Sequence, residues 1–124
     1  MSPLLYVMVG GAVGSGARYL TGSAMTSLLG PDYPFGTMTV NIVGGLLMGV
    51  LVGVLARDSA SENWRLLLAV GVLGGFTTFS AFSLEVVTMI ERGAIGVAFG
   101  YVLVSVIGSI AALFAGLSAV RAVA

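Results

Sequence analysis

The sequence contains no cysteine, no histidine and no lysine. Without cysteine there are no disulfides, thiolate metal sites or cysteine nucleophiles. Without histidine, and with five acidic residues in all, a catalytic metal centre has too few ligands to draw on. Charge of either sign is sparse: Arg18, Arg57, Arg65, Arg92 and Arg121 stand against Asp32, Asp58, Glu62, Glu85 and Glu91. Net charge is zero, so no basic surface offers itself to nucleic acid. Charged residues make up 8% of the 124, where a soluble domain carries roughly 25%. Against that scarcity, 58% of residues are hydrophobic and mean hydropathy is +1.12. Such a chain cannot cover a water-exposed surface, which makes it a membrane protein.

Four apolar runs, at about 3–29, 36–56, 64–90 and 94–120, are each long enough to cross roughly 30 Å of hydrocarbon. The fold class expected is all-α, with four transmembrane helices in a single domain covering 1–124. The opening MSPLLYVMVGG lacks a positive n-region and a cleavage site, and reads as the start of a retained span. The separators are short: GPDYPFG, the hydrophilic RDSASEN, and ERG. Short turns make consecutive helices antiparallel and place both termini on one side. That side holds Arg57, Arg65 and Arg121; the other holds Arg92, with Arg18 in the nearer half of its span. So slight a positive-inside bias is compatible with insertion in both orientations and with antiparallel pairing of two copies.

Glycine is plentiful, at 19 residues, and recurs at every fourth position: Gly10 and Gly14, Gly45, Gly49 and Gly53, Gly71 and Gly75, Gly96 and Gly100. Small residues at this spacing let membrane helices approach closely, within one subunit or between two. Polar side chains at membrane depth are costly and point to function. Thr37 and Asn41 share a face of the second helix, and Tyr101, Ser105 and Ser109 form a hydroxyl stripe on the fourth. Single residues of this kind hydrogen-bond helices together; as a set they describe a neutral polar track suited to a small ion. Arg18 is either an interfacial anchor, a partner for an acid, or a positive charge in a wet vestibule. Glu85 is open to structural hydrogen bonding, a vestibule position or an ion relay.

The stretch GGFTTFSAF, residues 74–82, places poor helix formers inside the third span. Broken membrane helices are tolerated where the freed backbone lines a cavity or binds an ion, so a break is expected near Gly74–Thr78, with carbonyls free for a hard cation such as Na⁺. Phe79 and Phe82 share a face beyond it. They either pack against neighbours or turn their electropositive ring edges to a small anion.

GGAVGSGARY at 10–19, GTMTVNIVGG at 36–45 and GVLGGFTTFSAFSLE at 71–85 closely resemble the Fluc/CrcB fluoride-channel family of bacteria, over the whole chain. That resemblance implies a fluoride-selective channel in the plasma (inner) membrane, passively exporting cytoplasmic F⁻, built as an antiparallel, dual-topology homodimer with two pores. It implies a structural Na⁺ at the dimer axis, held by the carbonyls of Gly74 and Thr77 of each subunit. Phe79, Phe82, Asn41, Thr37, Thr78, Tyr101, Ser105 and Ser109 take the place of the family's fluoride pathway, and Arg18 and Glu85 that of vestibule or structural charges. The alternative is a small multidrug-resistance-type exporter, also of four spans and dual topology. Such carriers need a carboxylate deep in the first span, where this chain has Arg18 and no acid before Asp32. A glycine-packed helper subunit without transport activity is the third reading.

Overall fold

A computed structural model describes residues 2–58 and 62–123; Met1, Ala124 and the centre of RDSASEN lie outside the described residues. The described chain is helical throughout, without strands. Helix α1 (Pro3–Leu29) begins where Ser2 Oγ accepts from the Leu5 amide at 3.3 Å and Pro3 occupies the first turn. It ends at Gly30, whose φ of +87° only glycine adopts without strain. Two prolines then turn the chain into α2 (Phe35–Asp58).

The third span, Glu62–Glu91, is composite. It opens on α3 (Glu62–Trp64), where an exposed ion pair joins Arg65 to Glu62, and widens into a π-helical stretch over Arg65–Leu73. A single turn, α4 (Gly74–Phe76), follows, and after a gap α5 (Ser80–Glu91) completes the crossing. Gly93, at φ +82°, ends it. Helix α6 (Ile95–Ala122) is the longest element.

The expected break is present, but it starts later than the glycines suggested. Gly74 is helical (φ −62°, ψ −39°), and the chain first turns extended at Thr77 (φ −86°, ψ 158°). Gly75 serves close packing: a Cβ there would lie 2.6 Å from the Gly11 carbonyl oxygen.

Three segments, Phe35–Arg57, Glu62–Glu91 and Ile95–Ala122, are long and apolar enough to cross a membrane. At 27 residues α1 has comparable length, but Arg18 and its glycines and hydroxyl residues make it more polar. Large apolar side chains cover the outside, among them Leu20, Leu28, Phe99 and Phe114, each about two-thirds exposed or more. Only an apolar surrounding makes such a surface stable.

Two close helix pairs organise the chain. α2 runs along α6 with Gly45, Gly49 and Gly53 against the Ser109, Leu113 and Val120 positions, and Gly116 returns the contact at Leu46. α1 runs along the π-helical stretch and α4, with Gly10 and Gly14 against Leu67, Gly71 and Val72. The fourth glycine pair behaves differently: no atom lies within 4 Å of a Cβ at Gly96 or Gly100, so neither is used for packing within this chain. A small core joins the two halves where Phe82, Met89, Ala98 and Tyr101 meet, and Tyr33 from the α1–α2 connection stacks edge-on against Tyr101 at 5.5 Å.

Candidate functional site: a broken helix beside a groove

The gap in the third span is tied open by side chains from two other helices. Asn41 on α2 takes both backbone polar groups of Thr78: its Oδ1 accepts from the Thr78 amide at 2.8 Å, and its Nδ2 donates to the Thr78 carbonyl at 3.0 Å. Only one orientation of the side-chain amide satisfies both bonds. Arg18 Nε on α1 donates to the Gly75 carbonyl at 3.1 Å. Thr77 turns back on Leu73, with Oγ1 and the amide both donating to the Leu73 carbonyl at 3.0 and 3.1 Å. Thr78 Oγ1 accepts from the Ala81 amide at 3.2 Å and so caps the first turn of α5.

These bonds redirect two amides. In a continuous helix the Thr78 amide would serve the Gly74 carbonyl and the Ala81 amide that of Thr77. Here they go to Asn41 and to the Thr78 hydroxyl, which leaves both carbonyls without their helical donors. Gly74 is exposed on the surface of the chain. Carbonyl oxygens on an open face, with no carboxylate cluster among the described residues, fit a hard monovalent cation better than a transition metal.

Beside the gap lies a groove of about 390 Å³ lined by Asn41, Thr77, Thr78, Phe79, Phe82, Ser105 and Ser109, with apolar neighbours from α2 and α6. The Phe79 and Phe82 rings are 5.6 Å apart and tilted 47°. They differ in setting: Phe82 is 7% exposed and packs on Tyr101 at 5.2 Å, whereas Phe79 is 76% exposed. Serines in helices ordinarily return their proton to the carbonyl four residues back. Ser105 and Ser109 do not; their Oγ atoms are buried and have no partner. Two unpaired O–H donors therefore border a groove that contains no fixed cation.

The expected hydroxyl stripe is not uniform. Tyr101, fully buried, donates to Glu85 Oε1 at 2.9 Å, and Thr37 donates to Glu85 Oε2 at 2.9 Å. These two hydroxyls are committed to a carboxylate, a stronger acceptor than a neutral group, and only Ser105 and Ser109 keep theirs free. Glu85 thus joins α2 to α6 by accepting one hydrogen bond from each. Arg18 does not pair with an acid among the described residues; it holds a carbonyl of the break. Both charges, with Thr37, Thr78 and Arg92, border a second, wider cavity of about 710 Å³ open toward the α1–α2 connection. Thr78 belongs to both spaces.

Among the features not read from the sequence are the cap by Thr78 and the π-helical approach to the gap. The first had a signal in a threonine placed where a helix restarts; the second had none.

The family model described as CrcB-like protein, Camphor Resistance (CrcB), matches residues 5–117. The chain belongs to the CrcB family. Among its relatives, the fluoride-specific ion channel FluC of Caulobacter vibrioides (strain NA1000 / CB15N) is 57% identical over 125 residues, covering 99% of this chain and 98% of the relative. FluC of Phenylobacterium zucineum is 58% identical over 125 residues with the same coverage, and FluC of Mesorhizobium japonicum 56% identical over 117 residues, 94% of each chain. The CrcB match contains every residue of the gap, the groove and the wider cavity, from Arg18 to Leu113.

Proposed function

We propose that this CrcB-family chain is a fluoride channel of the bacterial plasma membrane, one channel subunit over 1–124, and that it works as an antiparallel, dual-topology homodimer with two pores. The observation that carries the reading is the groove: two serines with buried, unpaired hydroxyls line it together with a pair of phenylalanines, and no lysine or arginine is among its lining residues. Fluoride is small and strongly hydrated, so a pore must replace its water with donors that do not trap it. Neutral O–H groups and electropositive ring edges meet both demands. The names of the relatives agree with this reading.

In this reading α1 is a fourth crossing, and its contact with the third span keeps Arg18 at the break. The exposed Phe79, Gly74 and Gly96, and the half-buried Gly100, are completed by the second copy. The carbonyls of Gly74 and Thr77 from each subunit hold a structural Na⁺, whose fixed positive charge would stand between the two anion paths. Export needs no coupled energy source, since HF crosses lipid neutral and dissociates inside, and the membrane potential drives F⁻ outward by about 2.3 kcal/mol per 100 mV.

The decisive experiment is F⁻ efflux from liposomes holding the purified protein. Voltage-driven release without proton or drug coupling is expected. Proton-coupled uptake of organic cations would instead identify a multidrug exporter, and fluoride that stays trapped would leave a helper subunit. In the same assay Phe79→Ile and Phe82→Ile should each reduce flux roughly two- to tenfold, the range that a ring-specific contribution of about 0.5–1.5 kcal/mol spans. Undiminished flux in both variants would remove the ring edges from the path.

A further inference from the structure

We infer that Asn41 is a positioning residue for the cation, a latch that keeps the Gly74 carbonyl available by withholding the Thr78 amide from it. The inference rests on the central-cation reading above and adds to it the element that makes the site. Among the described residues Asn41 is the only one whose side chain bonds the Thr78 backbone, and it holds both of its groups. Thr77 is extended at ψ 158°, and the span is helical up to Phe76 and again from Ser80. Arg18 holds the neighbouring Gly75 carbonyl and the Thr78 hydroxyl holds the Ala81 amide, but among the described residues no side chain other than Asn41 takes the Thr78 amide itself and so keeps it from Gly74, four residues back. If Asn41 lets go, the third span can close its hydrogen-bond ladder through the gap, and the Gly74 oxygen then faces along the helix with an amide on it. A cation would have to displace that bond.

The side-chain amide of Asn41 has two N–H groups, and the Thr78 carbonyl takes one. The other is left for the groove that Asn41 lines with Phe79, Phe82, Ser105 and Ser109. One side chain therefore serves both places: its carbonyl end and one N–H shape the cation site, and its second N–H borders the anion path. A residue that only lined the pore would affect fluoride alone.

The test separates the two roles by titrating Na⁺ against the thermal stability of the assembled, purified protein, at constant ionic strength with an organic cation as replacement. Wild-type protein should be stabilised by Na⁺ with a defined half-point. In Asn41→Leu, which loses both bonds to Thr78, the half-point should rise about tenfold, the bias that one net hydrogen bond represents. Asn41→Asp retains an oxygen for the Thr78 amide, and its half-point should stay within about threefold of wild type even though a carboxylate in the groove stops fluoride. Ser105→Ala, which borders the groove without touching Thr78, should leave the half-point unmoved. A shift under threefold in Asn41→Leu overturns the inference, as does a larger rise in Asn41→Asp, which decides alone if the leucine variant does not assemble. If wild-type stability ignores Na⁺, the central-cation reading fails and the latch fails with it, an outcome distinct from a Na⁺ response that Asn41 does not control.

Discussion

Asn41→Asp is expected to lower fluoride flux about a thousandfold while the protein still assembles. The substitution changes neither the size nor the branching of the side chain, so the groove keeps its shape and Oδ1 can still accept from the Thr78 amide, now 2.8 Å away. What changes is the field. A carboxylate about 4 Å from a passing anion raises its energy by about 4 kcal/mol at an effective dielectric near 20, which is close to three powers of ten in rate. The variant also loses both N–H groups of Asn41, the spare one and the one given to the Thr78 carbonyl, so that its hold on Thr78 is reduced to the bond from the amide. Initial efflux rates from liposomes, taken with gel filtration of the same preparation, measure the effect. A rate within tenfold of wild type would take Asn41 out of the ion path and leave it only its hold on Thr78.

That two-sided bond could not have been read from the chain. Asn41 and Thr78 are 37 residues apart, and no spacing pattern connects them. Helix periodicity did place Asn41 on one face with Thr37, and that face is the one turned to the third span: Thr37 reaches Glu85 and Asn41 reaches Thr78. Periodicity also put Tyr101 in line with Ser105 and Ser109, which α6 confirms, but it says nothing about which acceptor each hydroxyl finds. Tyr101 is long enough to reach Glu85, and the serines are not. The helix limits were legible because their signals are local, as with Ser2 and Pro3 at one end of α1 and Gly30 at the other.

The break shows where local signals mislead. Glycine lowers helix propensity by about 1 kcal/mol, and on that ground Gly74 and Gly75 mark the gap. Packing overrides the propensity. α1 crosses so near to α4 that only glycine fits at position 75, and the helix continues through both residues. The gap moves to Thr77–Phe79, where tertiary partners exist to satisfy the freed groups. Arg18 is part of the same trade: an arginine within a span is costly unless it finds acceptors, and the carbonyl of Gly75 is one. The fluoride assignment has a different origin from these contacts. The groove chemistry alone describes a neutral-lined path for a small ion, and the identity of the ion rests on the family.

Gly49→Val is the second change with a large expected effect, and it acts on folding before it acts on transport. A Cβ at Gly49 would overlap the Leu113 carbonyl oxygen and lie 2.9 Å from the Leu113 carbonyl carbon and the Leu117 amide nitrogen. All three atoms belong to the α6 backbone, so no rotamer change can relieve the contact; α2 and α6 must move apart. Overpacking costs about 1–3 kcal/mol where side chains can yield, and here the cost should reach or exceed the upper end, a large part of the 5–15 kcal/mol that typically separates folded from unfolded chains. The separation also pulls Asn41 and Thr37 on α2 away from the groove wall that Ser105 and Ser109 supply on α6. The expected outcome is little or no monodisperse protein, and a sharply lowered thermal midpoint in whatever assembles. Gly100→Val is the matched comparison, since nothing in the chain lies within 4 Å of a Cβ there. It should leave the folding of a single chain intact, so a loss of assembly without a loss of helix in that variant would place Gly100 at the contact between copies. A wild-type midpoint in Gly49→Val would mean that the close approach of α2 and α6 is not what holds the groove together.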